Sequence, residues 1–203
     1  MTQKPDEATA KDSGGVFESH PEGQFAVVCV DVVNLGLKPE EFPGSEPRES
    51  PKTCMVFASG QCQESGELII ITNEMTLSMH EKANMRQFLE SWRGRSYTPE
   101  QAEDGVPLHK LQGQVGLASI EHKITKRGRK FAKIRSISPL PDGMTAPIKE
   151  VMDEYVRPDF FAERKKEYRA LLDDFRAKQV KADDSYDKMP EALDDDLDSS
   201  LPF

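Results

Sequence analysis

The sequence predicts a mainly β domain of five strands with one helix between the third and fourth, followed by a helical extension and an acidic tail. Three observations carry this. Runs rich in β-branched and aromatic residues recur at 25–35, 52–59, 67–77, 115–122 and 131–138. Met85, Phe88, Leu89 and Trp92 fall at helical spacing between the third and fourth runs. After Pro139 and Pro141 the pattern turns helical and then strongly acidic.

Residues 1–20 are polar, include Gly14-Gly15, and form a loose arm. The first strand runs from Phe25 to Leu35. The next stretch, 36–52, holds Pro39, Pro43, Gly44, Pro47 and Pro51 and is expected to be a long loop, since proline cannot donate to a sheet ladder. The second strand covers Lys52 to Ser59 and breaks at Gly60; the third centres on Leu68-Ile69-Ile70-Ile71. Ser78 and Glu81 make a capping-box pair that opens the helix, and Gly94 stops it. Thr98-Pro99 opens one further turn. Strands four and five are joined by a hairpin at 123–130, turned by Gly128. Ile148, Val151, Met152 and Tyr155 mark a short amphipathic helix. Asp159 caps a longer one, at 160–181, with Phe161, Tyr168, Leu172 and Phe175 on one side.

Strand, strand, strand, helix, strand, strand is the order of the OB-fold, a small, partly open Greek-key barrel that binds oligonucleotides. The expected layout is an arm at 1–20, an OB domain at 21–143, a helical extension at 144–181 and an acidic tail at 182–203.

Charge points the same way once its distribution is considered. The formal net charge is −9, which by itself argues against a nucleic-acid partner. Residues 110–135, however, carry eight cations against Glu121 alone, a net of +7, and residues 183–203 carry eight carboxylates against Lys188 alone, a net of −7. The basic segment and the tail are therefore able to bind each other.

Single strands are held by a cationic groove along the phosphates and by aromatic faces that stack on bases. The hairpin supplies Lys123, Lys126, Arg127, Arg129 and Lys130. In the fifth strand, period-two alternation points Ala132 and Ile134 inward and Phe131, Lys133 and Arg135 outward, one aromatic beside two cations. Lys38, Phe42, Arg48 and Lys52 lie in or beside the first long loop, and Arg95 follows the helix; of these, Lys52 and Arg95 join the candidate DNA contacts. The plainer alternative is a solvated charge run.

The chain ends Asp194-Asp195-Asp196-Leu197-Asp198-Ser199-Ser200-Leu201-Pro202-Phe203. Phe203 offers a ring and a free α-carboxylate together, which suits a partner pocket with an apolar floor and a basic rim. Asp194, Asp195 and Asp196 add electrostatic steering. Leu201, Pro202 and Phe203 are not explained by solubility.

This ending resembles the acidic tip of bacterial and phage single-stranded DNA-binding proteins, with Ser199-Ser200 inserted as a departure. Residues 21–143 resemble phage-encoded single-stranded DNA-binding proteins of the OB type. The likeness rests on Pro21-Glu22-Gly23, Val30-Asp-Val-Val-Asn-Leu-Gly36, Leu77-Ser-Met-His-Glu-Lys-Ala-Asn84, Leu89-Glu-Ser-Trp-Arg-Gly-Arg95 and Ile137-Ser-Pro-Leu-Pro141. The resemblance implies sequence-independent binding and protection of single-stranded DNA in phage replication or recombination. It also implies recruitment of replication proteins by the tip, no cofactor and no reaction.

The remaining residues point to no other chemistry. Cys29, Cys54 and Cys62 are odd in number and fit no zinc spacing, so free thiols in a reducing cytoplasm are expected. His20, His80, His109 and His122 are scattered. Neither a signal peptide nor a membrane-spanning stretch is expected. A strand-annealing or mediator protein, a protein-binding adaptor without DNA binding, and self-association or assembly along DNA stay open.

Overall fold

The computed structural model describes residues 19–186 apart from Pro43, Lys126, Arg127 and Arg129. Five strands form one antiparallel sheet in the order β3-β2-β1-β4-β5. They are β1 (Gly23–Glu40), β2 (Arg48–Cys62), β3 (Leu68–Thr76), β4 (Val115–Ile124) and β5 (Lys130–Ser138). The edge strands β3 and β5 approach to within 8 Å, Cα to Cα. Between β3 and β4 lie α1 (Asn84–Arg93) and the short α2 (Pro99–Asp104). After β5 come α3 (Ile148–Glu154) and α4 (Phe160–Tyr186).

All five strands share one core with α1. Val27, Met55, Phe57, Ile71, Ala118 and Ile134 point into it, against Met85, Leu89 and Trp92. The helical period of those three residues is what brings them to one face. Trp92 donates its indole N–H to the Val115 carbonyl at 2.8 Å, and it packs so closely over Gly116 that a Cβ there would lie 2.6 Å from Nε1. Gly94 ends α1 in the left-handed conformation, φ 70°.

A second core lies on the opposite face. Val28, Val30, Val33 and Leu35 of β1 and Cys54, Val56 and Ala58 of β2 pack there against Val151 of α3 and Phe161 and Tyr168 of α4. The middle of β1 is thus buried on both sides, which explains its long apolar run, interrupted at Asp31. The helical extension is docked on the sheet.

Two sequence expectations need correction. The stretch 36–52 is no long loop: β1 continues to Glu40 and β2 begins at Arg48, so the connection shrinks to 41–47. Pro39 stands opposite Glu49 and Pro51 opposite Leu37. The missing proline N–H does not end the ladder, and the Pro51 carbonyl still accepts from the Leu77 amide at 2.7 Å. Nor does α1 begin at Ser78. The Ser78 hydroxyl accepts from the His80 amide at 3.2 Å, and His80 Nδ1 accepts from the Lys82 amide at 3.2 Å. These local bonds hold the segment as a turn, and the helix starts at Asn84 with no side-chain cap. The capping box is at α2, where Thr98 and Gln101 exchange bonds of 3.3 Å.

One buried carboxylate ties the extension to the sheet. Asp31 is 2% exposed. Arg157 grips both of its oxygens, Nε at 2.6 Å and Nη2 at 2.7 Å, and the Tyr155 hydroxyl donates at 2.9 Å. The Val32 amide (2.8 Å) and the Gln112 side chain (3.1 Å) complete the shell. Burial pushes the Asp31 pKa up, but the Arg157 and Tyr155 bonds outweigh it and hold the carboxyl below the usual carboxylate range. A depressed native pKa contributes stability that is present above the unfolded value of about 4 and is lost as pH falls through the native one. Arg157→Ala should therefore cost about 1–3 kcal/mol at neutral pH, toward the low side for a buried pair because the guanidinium is half exposed. Urea melts at pH 7 and at pH 3 test it: the deficit should shrink at the lower pH, where the stranded carboxylate takes a proton.

Candidate nucleic-acid interface

The outward alternation expected for β5 is observed at its start. Ala132 and Ile134 turn inward, Ile134 being buried, while Phe131 is 40% exposed and Lys133 is exposed. Across the ladder Phe131 faces Lys123, Lys133 faces Glu121 and Lys130 faces Ile124. The register skips one residue between Ile134 and Ser136, so Arg135 is the extra residue of a bulge and projects into solvent. Phe131, Lys133 and Lys123 therefore share one solvent-facing patch of the β4–β5 ladder, with Lys130 and Arg135 at its ends.

Glu121 is the carboxylate within that patch. Lys123 reaches it at 2.9 Å. Its carboxyl lies below the usual range, first through the Lys123 bond and then through the fields of Lys123, Arg135 and Lys133. Lys126, Arg127 and Arg129, at the hairpin tip, lie outside the described residues, as do Asp194, Asp195, Asp196, Leu201, Pro202 and Phe203.

The N-terminal residues brace the base of this hairpin. Glu22 accepts from the His122 amide at 2.8 Å, the His20 carbonyl lies 2.7 Å from His122 Nε2, and Ser19 donates to the Lys130 carbonyl at 3.3 Å. His20 is itself buried, with Nε2 2.6 Å from the Ser59 hydroxyl, and burial lowers its pKa.

Lys52 stands in β2, where the second strand was expected to begin, but it is only 7% exposed and does not face solvent as a DNA contact would. Its ammonium donates to Glu40 and, at 2.7 Å, to Thr76, while Ser50 donates to the other Glu40 oxygen at 2.6 Å. A lysine so enclosed is a structural ion pair. Arg95 is exposed just past Gly94, at the end of α1 rather than on the β4–β5 patch.

Two features were not read from the sequence. A cleft of about 700 Å³ opens beside the β1–β2 connection. Phe42, half exposed, lines it with the Arg48 guanidinium 5.4 Å over its ring. The second is a groove of about 530 Å³ between residues 34–37 of β1 and Lys165, Lys166, Arg169, Leu172 and Arg176 of α4. The i, i+4 spacing of Lys165 and Arg169 is visible in the sequence, but which strand faces them is not.

Burial pushes the Cys29 and Cys54 thiols up to about 12, whereas Cys62 is exposed. Among the described residues no helix is long and apolar enough to cross a membrane, and no cluster of His, Cys, Asp or Glu is fit to hold a metal ion. No protein-family model matches this chain, and no curated protein matches it.

Two substitutions separate patch from scaffold. Lys52→Ala leaves Glu40 with only Ser50 and the more distant Arg48 and should cost about 1–3 kcal/mol in a urea melt. Phe131→Ala removes an exposed ring and should stay within about 0.5 kcal/mol of the parent. A thiol reagent on the native chain should label Cys62 quickly and leave Cys29 and Cys54 for the unfolded state.

Proposed function

We propose that this chain binds single-stranded DNA without catalysis or sequence preference, and recruits partner proteins through its C-terminal tip. The observation that carries the reading is the exposed ring of Phe131 on one face with Lys123 and Lys133, flanked by Lys130 and Arg135. A ring for a base and cations for the phosphates are the two elements a single strand requires. Neither a hydrophobic core nor solubility calls for an aromatic at that position.

The architecture supports it. The strand order with β3 near β5, and a helix between β3 and β4, is what an OB barrel requires. In OB-folds the outer face of strands two and three takes the oligonucleotide. Here α3 and α4 occupy that side of the sheet, packed on Cys54, Val56 and Ala58. The strand is therefore assigned to the β4–β5 ladder and the hairpin tip, with Phe42 and Arg48 as a second stacking position. Phage replication or recombination is the setting in which such a coat, with a Leu-Pro-Phe tip, acts.

An adaptor reading has one observation in its favour. Ile148 and Met152 of α3, Val156 of the link and Phe160 at the start of α4 expose apolar side chains, as protein-docking surfaces do. Anisotropy of a labelled dT oligomer decides between the two. Binding should weaken with salt at a log–log slope of about −0.7 per phosphate contacted. Alanine at Lys126, Arg127 and Arg129 together should flatten the slope, and Phe131→Ala should cost about 1–3 kcal/mol of binding. No binding at low salt leaves the adaptor.

A further inference from the structure

The groove between β1 and α4 is the most one-sided charged site among the described residues. Its lining holds four cations, Lys165, Lys166, Arg169 and Arg176, and not one carboxylate, in a chain of net charge −9. Arg176 is engaged by Glu49 at 2.6 and 2.7 Å. Lys165, Lys166 and Arg169 have no ion-pair partner among the described residues, and all three are exposed. Three unpaired cations on one stripe of one helix are a receptor for an extended polyanion.

The groove also has apolar footing. Leu172 and the partly exposed Leu37 line it, and no aromatic ring does. Bases of a single strand would find no stacking platform there. A peptide that alternates carboxylates with leucines would find a partner for both.

This chain carries such a peptide. Leu193, Leu197 and Leu201 are spaced four apart among Asp194, Asp195, Asp196 and Asp198. Its tether has the right length. Asp194 is eight residues beyond Tyr186, the last described residue of α4, and eight residues reach at most about 26–29 Å if fully extended. At about 1.5 Å per helical residue that distance, measured back along α4, reaches the level of residues 167–169. Asp196, two residues further on, reaches the level of 162–164. A tail folded back antiparallel to α4 thus sets its aspartates across Arg169, Lys166 and Lys165.

We propose that the α4–β1 groove is an intramolecular dock for the acidic tail, which seats Asp194–Asp196 on Lys165, Lys166 and Arg169 and the neighbouring leucines on Leu37 and Leu172. Tethering raises the local concentration of the tail, so contacts too weak to hold a free peptide suffice. The dock lies on α4, away from the β4–β5 patch, and it stands or falls independently of DNA binding.

The test is zero-length carbodiimide coupling of carboxylates to lysines in the full chain, with the monomer band mapped by mass spectrometry. Asp194, Asp195 or Asp196 should couple to Lys165 or Lys166. The coupling should vanish in 0.5 M salt and in the Asp194→Asn, Asp195→Asn, Asp196→Asn variant, which leaves the folded part untouched. Coupling to Lys123, Lys130 or Lys133 instead would put the tail on the hairpin and overturn the proposal. So would coupling found only in dimers, which would make the occupant a second copy. In the third arm, Lys165→Ala, Lys166→Ala, Arg169→Ala is titrated with the dT oligomer. Unchanged or tighter binding agrees with a tail dock. A loss as large as that of the hairpin variant would make the groove part of a DNA path and refute it.

Discussion

The buried Asp31 carboxylate is the constraint on which the rest of the arrangement hangs. It sits where β1 leaves β4, and an unpaired carboxylate there would be prohibitively costly. Beside the neighbouring Val32 amide, the side chains that relieve the cost come from elsewhere: Gln112 from before β4, Tyr155 from the end of α3, Arg157 from the link to α4. Satisfying one charge therefore fixes where the C-terminal extension begins. From that point α4 follows β1 toward the β1–β2 connection, with Tyr168 donating to Glu74 and Arg176, eight residues further on, closing on Glu49. Asp31, Glu74 and Glu49 act as successive polar anchors, and Phe161, Tyr168 and Phe175 fill the space between them.

That docking decides which surface is free. A sheet with one helix over one face would leave the other face of β2 and β3 open. Here that side is a second core, and its largest member, Tyr168, is 1% exposed. Loss of so much buried apolar surface is not a low-energy motion, so the helices are part of the fold and not a lid over it. The β4–β5 ladder escapes coverage because α4 runs along β1. The aromatic and the cations of β5 remain outward for the same reason that β1 is buried twice.

Much of the fold was legible because its signals were local. The five strands and the α1 face follow from periodicities of two and of 3.6, and the outward phase of Phe131 and Lys133 follows from the same count. The failures were of two kinds. The prolines of 36–52 suggested a loop, but strand pairing among β1, β2 and β3 overrode their local preference. Ser78 and Glu81 had the spacing of a cap, but His80 competed for the serine. What no local signal carried was long-range: Asp31 with Arg157, 126 residues apart, or Lys165 and Arg169 beside residues 34–37. These pairings depend on which face the extension docks to, and amphipathicity names a face without naming its partner.

The distribution of charge gives the two halves of the functional reading a common basis. Within the folded part, carboxylates near the sheet are largely consumed in pairs: Asp31 with Arg157, Glu40 with Lys52, Glu49 with Arg176, Glu121 with Lys123. Excess positive charge in the sequence gathers in two places, the β4–β5 hairpin and the α4 stripe, while residues 183–203 hold eight carboxylates against one lysine. A single cationic site would force tail and nucleic acid to exclude each other. Two sites allow a different coupling. On the proposed reading, a strand bound at the hairpin would weaken the tail's hold only where its phosphates come within about a Debye length of the dock, roughly 10 Å at 0.1 M salt. Release of the tip would then be graded by ionic strength and by how much DNA is bound, rather than switched by direct displacement.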